Sequence, residues 1–579
     1  MIQSQLRQFI RSSVMRSKNR FKGFWSRQWS QKSIPLFKES LNGTYEPIVE
    51  EDLFRYIRHR WLFNEQNELA RRYLRFNVEK LAEIALRAAG NGARACVKVV
   101  KCVEGLHNKA LILTMDNGCE VFAKLPNPNA GPAHYNTASE VATRQFLRDV
   151  AKIPVPRVLA WSSDPRNPAE AEYIIEEKAQ GVRLGSLWPQ WPRKSKVEVI
   201  KQIADMDQVL CSFEFRKHGS IYFKKDLPAS DFTQRENVLI NSSQPPDITD
   251  CFGLGPVTSA GLWKSGRADM DLDRGPWLNS SEYAYAMAKN EMKWIFAHAR
   301  PRMNYCRSMK QPEVPEDAIS LLSKYNEAVP YLTPRENEGK MNVLWHPDLH
   351  LDNIFVDPTS HKITCIIDWQ GATVAPLFYH SCIPRMVRHD GTVREGWIVP
   401  TRPDNFDTLS EDEKKKLNAD LENETLHKFY EAMVNKRAPR HWAALEQLEA
   451  IKLKRNPTLL ITGLWENRNL FYLRHSLYTV AALWNQIEPD DNIECPIEFT
   501  EEDGERHLKE DENITDVGKM LCLFRDERAL PEDGMVTPED FELAMKNCEK
   551  FKEIFLNLAT SKDERELFSK LWPYQELEA

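Results

Sequence analysis

Residues 343–373, VLWHPDLHLDNIFVDPTSHKITCIIDWQGAT, hold the densest chemistry of the chain. His346-Pro347-Asp348 is followed, five positions after the aspartate, by Asn353. Two apolar runs, Ile354–Val356 and Ile363–Ile367, flank a turn of Asp357, Pro358, Thr359 and Ser360, and Asp368 closes the second run. An antiparallel hairpin returns its second strand to the open end of its first. Asn353 and Asp368, distant in sequence, are therefore expected as neighbours, where an amide oxygen and a carboxylate can share Mg²⁺. Asp348 lies upstream on the same loop, placed to accept a hydrogen bond from an incoming hydroxyl. H-x-D-x-x-x-x-N followed by D is the base and magnesium arrangement that phosphoryl transfer uses. His346 reads as a brace for the loop backbone and His350 as a packing residue. A metallohydrolase reading competes. His346, Asp348, His350 and Asp352 alternate at period two, so on a strand all four would face one way and could bind a transition metal. Pro347 and the hairpin favour a loop instead.

Upstream residues fit the phosphoryl-transfer scheme. Lys124 sits in Val121-Phe122-Ala123-Lys124-Leu125. A lysine among apolar strand residues needs an anionic partner, because burying its charge alone costs several kcal/mol. Nucleotide phosphates and Glu140 are the candidates; the alternative is a side chain that snorkels from a half-exposed strand. Glu140 has a second reading of its own, as the last residue of a Thr137-Ala138-Ser139-Glu140 capping box. Glu104-Gly105-Leu106-His107-Asn108-Lys109 lies where a phosphate-covering loop would be, with one glycine. Gly105 allows one close backbone approach to a phosphate, or marks a strand bulge. Asp273 and Arg274 are either substrate contacts or a pair that fixes their loop.

The elements that must position these groups follow from the hydrophobic periods. Residues 50–90 read as helical, with Leu53, Phe54, Ile57, Trp61, Leu69, Tyr73, Leu74 and Leu81 at three- and four-residue steps. Over 95–125 the period changes. Leu111–Met115 and Val121–Leu125 flank Asp116-Asn117-Gly118, a hairpin signal. A helix begins near Thr137, and an apolar strand lies at Tyr173–Ile175. From 186 to 340 the chain reads as mostly helical, and 405–579 as charged amphipathic helix. The stretch 488–512 carries twelve acids and two bases and reads as a solvated loop. A β-rich stretch before a larger helical part gives an α+β enzyme of two lobes with a cleft between them.

Composition excludes several classes. The 579 residues are 42% hydrophobic and 28% charged, enough to bury a sizeable core. A net charge of −6 argues against bulk attraction to nucleic acid. No apolar run approaches the ~20 residues that span a bilayer. Eleven scattered cysteines with no CxxC pair read as free thiols. Residues 1–38 differ from the rest: nine Lys/Arg, seven serines and no acid, with Ile2, Leu6, Phe9, Ile10 and Val14 on one helical face. That is the pattern of a mitochondrial transit peptide, with a basic lipid- or nucleic-acid-binding arm as the alternative.

At EGLHNKALILTM, EVFAKL, TASEVATRQFL, IPVPRVLAWSS, AEYIIEEKAQG, HPDLHLDN and IIDWQGA the chain resembles the aminoglycoside-phosphotransferase, choline-kinase-like branch of the protein-kinase-like fold. Within that branch it resembles the fungal mitochondrial group called altered inheritance of mitochondria protein 9. The resemblance covers about residues 95–380. Together with the composition of 1–38 and the helical periods of the flanking segments, it gives a transit peptide at 1–38, a helical extension at 39–94, a nucleotide-binding N-lobe at 95–180, a catalytic C-lobe at 181–400 and a helical extension at 401–579. It further implies ATP and Mg²⁺ as cofactors, a hydroxyl-bearing acceptor, and the mitochondrial matrix, reached through the import machinery. Asp348 would be the catalytic aspartate, Asn353 and Asp368 the metal ligands, and Lys124, paired with Glu140, the contact to the α- and β-phosphates. Gly105 would belong to the phosphate loop, and the backbone around Ile175–Glu177, Glu176 included, to the adenine hinge. Relatives often carry two adjacent glycines where Gly105-Leu106 stands. A kinase-fold protein with a regulatory role and no turnover is therefore the second reading.

Overall fold

The computed structural model describes residues 34–40, 42–228, 237–240, 249–335, 339–490, 492–526 and 529–576. The expected transit segment lies outside these residues except at 34–38. Leu36–Glu39 is already a strand, β1, of the main sheet.

The N-lobe is a seven-stranded sheet in the order β2-β1-β4-β5-β6-β8-β7. Tyr45–Pro47 forms β2, Cys96–Lys101 β4, Asn108–Met115 β5, Glu120–Pro126 β6, Val158–Ser162 β7 and Tyr173–Glu177 β8, while β3 is the short Arg60–Trp61 outside this sheet. β1 runs parallel to β4, and every other neighbouring pair is antiparallel. The β5–β6 hairpin closes over Asp116-Asn117-Gly118, with Gly118 at φ 81°. That left-handed conformation is the reason for the glycine. Along β5 alternate residues, Lys109, Leu111, Leu113 and Met115, are buried, as a pleated strand with one face on a core requires. The helix Val78–Ala89 packs Leu81, Ala82 and Ala85 with Leu111, Leu113, Val121 and Ala123.

The 39–94 segment is less helical than its apolar spacing predicts. Glu50–Phe54, Glu65–Ala70 and Val78–Ala89 are helices, but β2 precedes them and β3 and turns separate them. Of its recurring apolar residues Leu53, Phe54, Trp61 and Leu81 are buried and Tyr73 is exposed, because tertiary packing of short pieces overrides the local period.

The C-lobe is built on the helices Arg193–Leu210, Ser280–His298, Pro315–Leu332, Glu411–Arg437 and Leu470–Ala482. Three small sheets are set into it: β10 (Ser220–Phe223) with β11 (Phe252–Gly255), β12 (Asn342–Trp345) with β15 (Thr373–Pro376), and β14 (Ile363–Ile366) with β13 (Ile354–Val356) and β9 (Val182–Arg183). The main core runs from the helix Tyr135–Asp149 (Phe146, Leu147) through Ile200 and Ile203 to Ile354, Ile366 and Trp369. A mixed sheet with a helix on each face, joined to a larger helical body, makes the two-lobed α+β fold that the sequence implies.

The acidic 488–512 stretch corrects an expectation. Its second half begins the helix Glu501–Asp526. Thr500 Oγ1 accepts from the Asp503 amide at 3.1 Å, and Glu501, Glu502 and Asp503 fill the first turn, where carboxylates oppose the helix dipole. β16 (Met535–Val536) pairs with β3, and the Arg60 guanidinium lies 3.4 Å over the Phe541 ring. The two terminal extensions therefore hold each other.

Candidate active site

β12 ends at Trp345 and β13 starts at Ile354, so residues 346–353 are a loop with a single 3₁₀ turn. The alternating His/Asp reading required a strand there and is set aside. Among the described residues no group of three or more His, Cys, Asp and Glu side chains could hold a metal. His346 braces this loop. Its Nε2 bonds the Ile367 carbonyl at 2.9 Å and its Nδ1 accepts from the Asp348 amide at 3.1 Å. Burial pushes the ring down to about 4, so it is neutral and serves both bonds as one tautomer.

The hairpin forms as expected. β13 and β14 pair antiparallel with Ile354 opposite Ile366, and the Ile367 amide donates to the Asn353 carbonyl at 2.9 Å. Asn353 and Asp368 therefore end adjacent strands side by side. Asn353 is buried, and its Nδ2 donates to the Asp348 carbonyl at 3.0 Å. That bond leaves Oδ1 as the end a hard cation would take. Asp368 has φ 63°, a left-handed conformation that aspartate tolerates better than most residues. Trp369 fixes the turn: it is fully buried, donates to the Ile366 carbonyl at 3.2 Å and stands edge-on to His346 at 4.5 Å.

Lys124 reaches this turn from β6. Its Nζ is 2.9 Å from both Glu140 carboxylate oxygens and 2.9 Å from Asp368 Oδ1. The side chain is buried rather than snorkelling. Glu140 is not a cap: the helix starts at Tyr135, and Thr137 Oγ1 donates to Glu172 instead. Burial pulls the Lys124 ammonium down, but Asp368 and Glu140 outweigh it and hold it above the usual lysine range. Burial raises Asp368, yet the Lys124 charge leaves it below the ordinary carboxylate value. A cation shared by two carboxylates, one from each lobe, ties the lobes together at this turn.

Gly105 and Glu176 sit differently. Beside Gly105, the buried Glu104 carboxylate is 2.9 Å from both Lys101 and Lys109 and accepts from the Ile57 amide at 2.8 Å. Gly105 itself has no left-handed φ, and a Cβ there would meet nothing within 4 Å. The Glu176 carboxylate pairs with Arg144 inside the lobe, and its backbone is laddered between Phe122 and Val158. The strand thus turns toward the C-lobe one residue beyond it. Asp273 and Arg274 fix their loop: Arg274 donates to the Leu262 carbonyl at 3.1 Å and lies 4.1 Å over Trp263, while Asp273 Oδ1 accepts from the Gly275 amide.

Three contacts escaped the sequence reading. Gln370 accepts from Asn108 at 2.7 Å and donates to the Ala130 carbonyl at 2.9 Å, tying β5 and the loop after β6 to the Asp368 turn. Arg144 bridges Glu140 and Glu176; its position one turn after Glu140 was a readable signal. Arg385 NH1 lies 3.4 Å from Asp348 Oδ1, and no local motif marks it.

Comparisons with known proteins show what the chain is similar to. The profile of the family described as phosphotransferase enzyme family, APH, matches residues 273–379. A subtelomeric hrmA-associated cluster protein of Aspergillus fumigatus is 32% identical over 517 residues, covering 83% of this chain and 97% of that protein. The altered inheritance of mitochondria protein 9, mitochondrial, of Yarrowia lipolytica is 24% identical over 529 residues, covering 85% and 87%. Among solved structures, the streptomycin–ATP–APH(2″)-IIa ternary complex aligns over 72% of this chain and 99% of its own, at 10% identity and a TM-score of 0.33.

Proposed function

The chain belongs to the APH phosphotransferase family, together with the fungal altered inheritance of mitochondria protein 9 group, and from that premise we propose that it is an ATP- and Mg²⁺-dependent phosphotransferase of mitochondria acting on a hydroxyl acceptor. The observation that carries this reading is the Lys124 ammonium held at 2.9 Å by Glu140 and by Asp368, next to the Asn353–Asp348 loop. Asp348 accepts the proton of the acceptor hydroxyl. That oxygen forms a bond to the γ-phosphorus, and the bond to the β-phosphate oxygen breaks with its electron pair leaving on ADP. Lys124 neutralises the α- and β-phosphates. The Asn353 and Asp368 oxygens are the hard donors that suit magnesium, which supplies charge neutralisation when bound. The mitochondrial assignment rests on the acid-free basic segment 1–38 and on the name of the Yarrowia lipolytica relative.

Replacing Asp348 by Ala is expected to lower turnover about 10²–10⁴-fold while magnesium-dependent nucleotide binding survives. Untargeted metabolite profiling of wild type against Asp348→Ala identifies the acceptor, and thermal shift with Mg²⁺–ATP reads binding. Unchanged turnover would remove the base assignment. A second reading, a nucleotide-binding regulator without turnover, draws on the single-glycine loop beside the buried Glu104. Turnover of any hydroxyl compound by the wild type decides against it.

A further inference from the structure

From the position of Arg385 we infer that the acceptor of this site carries an anionic group, phosphate or carboxylate, within a few bonds of the hydroxyl that is phosphorylated. The inference rests on the phosphotransferase reading and narrows its substrate class. Arg385 NH1 stands 3.4 Å from Asp348 Oδ1, and the arginine side chain is 66% exposed. A guanidinium has five N–H donors in a rigid fork shaped for carboxylate and phosphate. Among the described residues its one partner is the base itself. The neighbouring arginines are engaged elsewhere: Arg388 with Asp390, Arg394 with Glu424, and Arg402 with Asn418.

Arg385 and Lys124 reach the site from different elements and meet different carboxylates. The ammonium on the phosphate side is Lys124, which approaches Asp368 from the N-lobe sheet. Arg385 follows the short helix Leu377–His380 in the C-lobe and approaches Asp348 instead. A hydroxyl bonded to Asp348 therefore has the fork beside it, and an anion on the same small molecule lies within its reach. Segment 381–402 carries four arginines against two acids in a chain whose net charge is −6. An amine-bearing acceptor would bring a second cation to this arginine, which like-charge repulsion opposes. An anionic acceptor also draws Arg385 off Asp348 and so frees the carboxylate that must take the proton.

The test uses the full chain and matched probes: glycerol, choline, glycerate, glycerol 3-phosphate, and vesicles of phosphatidylglycerol in phosphatidylcholine. Binding is read calorimetrically with Mg²⁺ and a non-hydrolysable ATP analogue, and transfer from labelled ATP is read beside it. Glycerol 3-phosphate, glycerate or the anionic vesicles are expected to bind at least about tenfold tighter than glycerol and choline. The vesicle arm tells a lipid headgroup from a soluble acceptor. Arg385→Glu is expected to remove that preference through KM, and Arg385→Lys to keep part of it. Equal affinity for all probes, or preference for choline, overturns the inference. So does an Arg385→Glu variant with unchanged preference, or one that loses kcat equally with every acceptor, which would place the arginine on the transferred phosphoryl group. A wild type with no Mg²⁺–ATP thermal shift removes the phosphotransferase reading itself, a separate result from an anion that fails to bind.

Discussion

At the scale of single residues the site is a chain of buried charges that ends on the exposed carboxylate of Asp368. Lys124 lies between Glu140 and Asp368, and Arg144 between Glu140 and Glu176. Burial raises Glu176 despite its arginine, and removing one member leaves the others uncompensated. Lys124→Ala is therefore expected to cost roughly 3–5 kcal/mol in urea unfolding, and the Lys124→Ala/Glu140→Gln pair to recover part of it. A single-variant loss below about 1 kcal/mol would show that the lysine is solvated and the network unimportant. The placements legible in sequence were those with one residue type and a fixed spacing: Asn353 beside Asp368 at the hairpin end, Asp348 on the loop before it, and His346 as a brace. For Lys124 and Glu140 the sequence left two outcomes open, because a strand lysine can snorkel and a TxxE box can cap. Deciding between them needed to know which side of β6 faces the helix. Arg385 carries no such signal, since its relation to Asp348 is made only by the fold of the C-lobe segment that follows Asp368.

Among the elements, hairpins were the most legible and short, mutually packed pieces the least. Asp116-Asn117-Gly118 and the Asp357–Ser360 turn announce β5–β6 and β13–β14, because each turn needs its own residue types. Segment 39–94 shows helical spacing but folds as three helices, two short strands and turns, since burial against β4–β6 can satisfy the same apolar residues in several local conformations. The glycines near the cleft separate two roles. Gly105 has ordinary φ and open space where a Cβ would go. At Gly181, between β8 and β9, φ is 98° and a Cβ would lie 2.6 Å from both Thr364 Oγ1 and the Val356 carbonyl oxygen. Gly105→Ala is expected to change stability by less than about 0.5 kcal/mol, and Gly181→Ala to destabilise by about 1–3 kcal/mol. Chemical denaturation of the two variants side by side measures this. Equal effects would mean that the linker between the lobes tolerates a side chain that its geometry excludes.

The whole molecule is more than two lobes. The C-terminal extension returns to the N-terminal one through β16 and β3, a contact that composition and charge could not announce because it joins residues at opposite ends of the chain. Holding the two extensions together makes global stability a property of all these parts, and acid is the simplest probe of it. Burial pushes three C-lobe histidines down: His218 to about 3, and His346 and His380 to about 4. A histidine in the unfolded chain binds its proton near pH 6.5. Between about pH 6.5 and 4 the unfolded state therefore holds more protons than the folded one, and stability falls as pH falls through that window. Each group contributes at most about 3–5 kcal/mol over the full interval. The Lys124–Asp368 pair titrates outside that window, Asp368 on its acid side and Lys124 on its alkaline side. The Asp368 contribution persists above the ordinary carboxylate value and is lost only as pH drops through its lowered one, and the Lys124 contribution is lost only as pH rises through its raised one. Melting temperature is therefore expected to decline from pH 6.5 to 4.5, a range in which that pair stays ionised. His218 is ringed by Trp277, Tyr283 and Tyr379, so His218→Phe should pack among them and flatten the decline. A wild type whose melting temperature is level across that range would show that these rings are protonated in the fold, and an unchanged slope in His218→Phe would move the acid sensitivity to other groups.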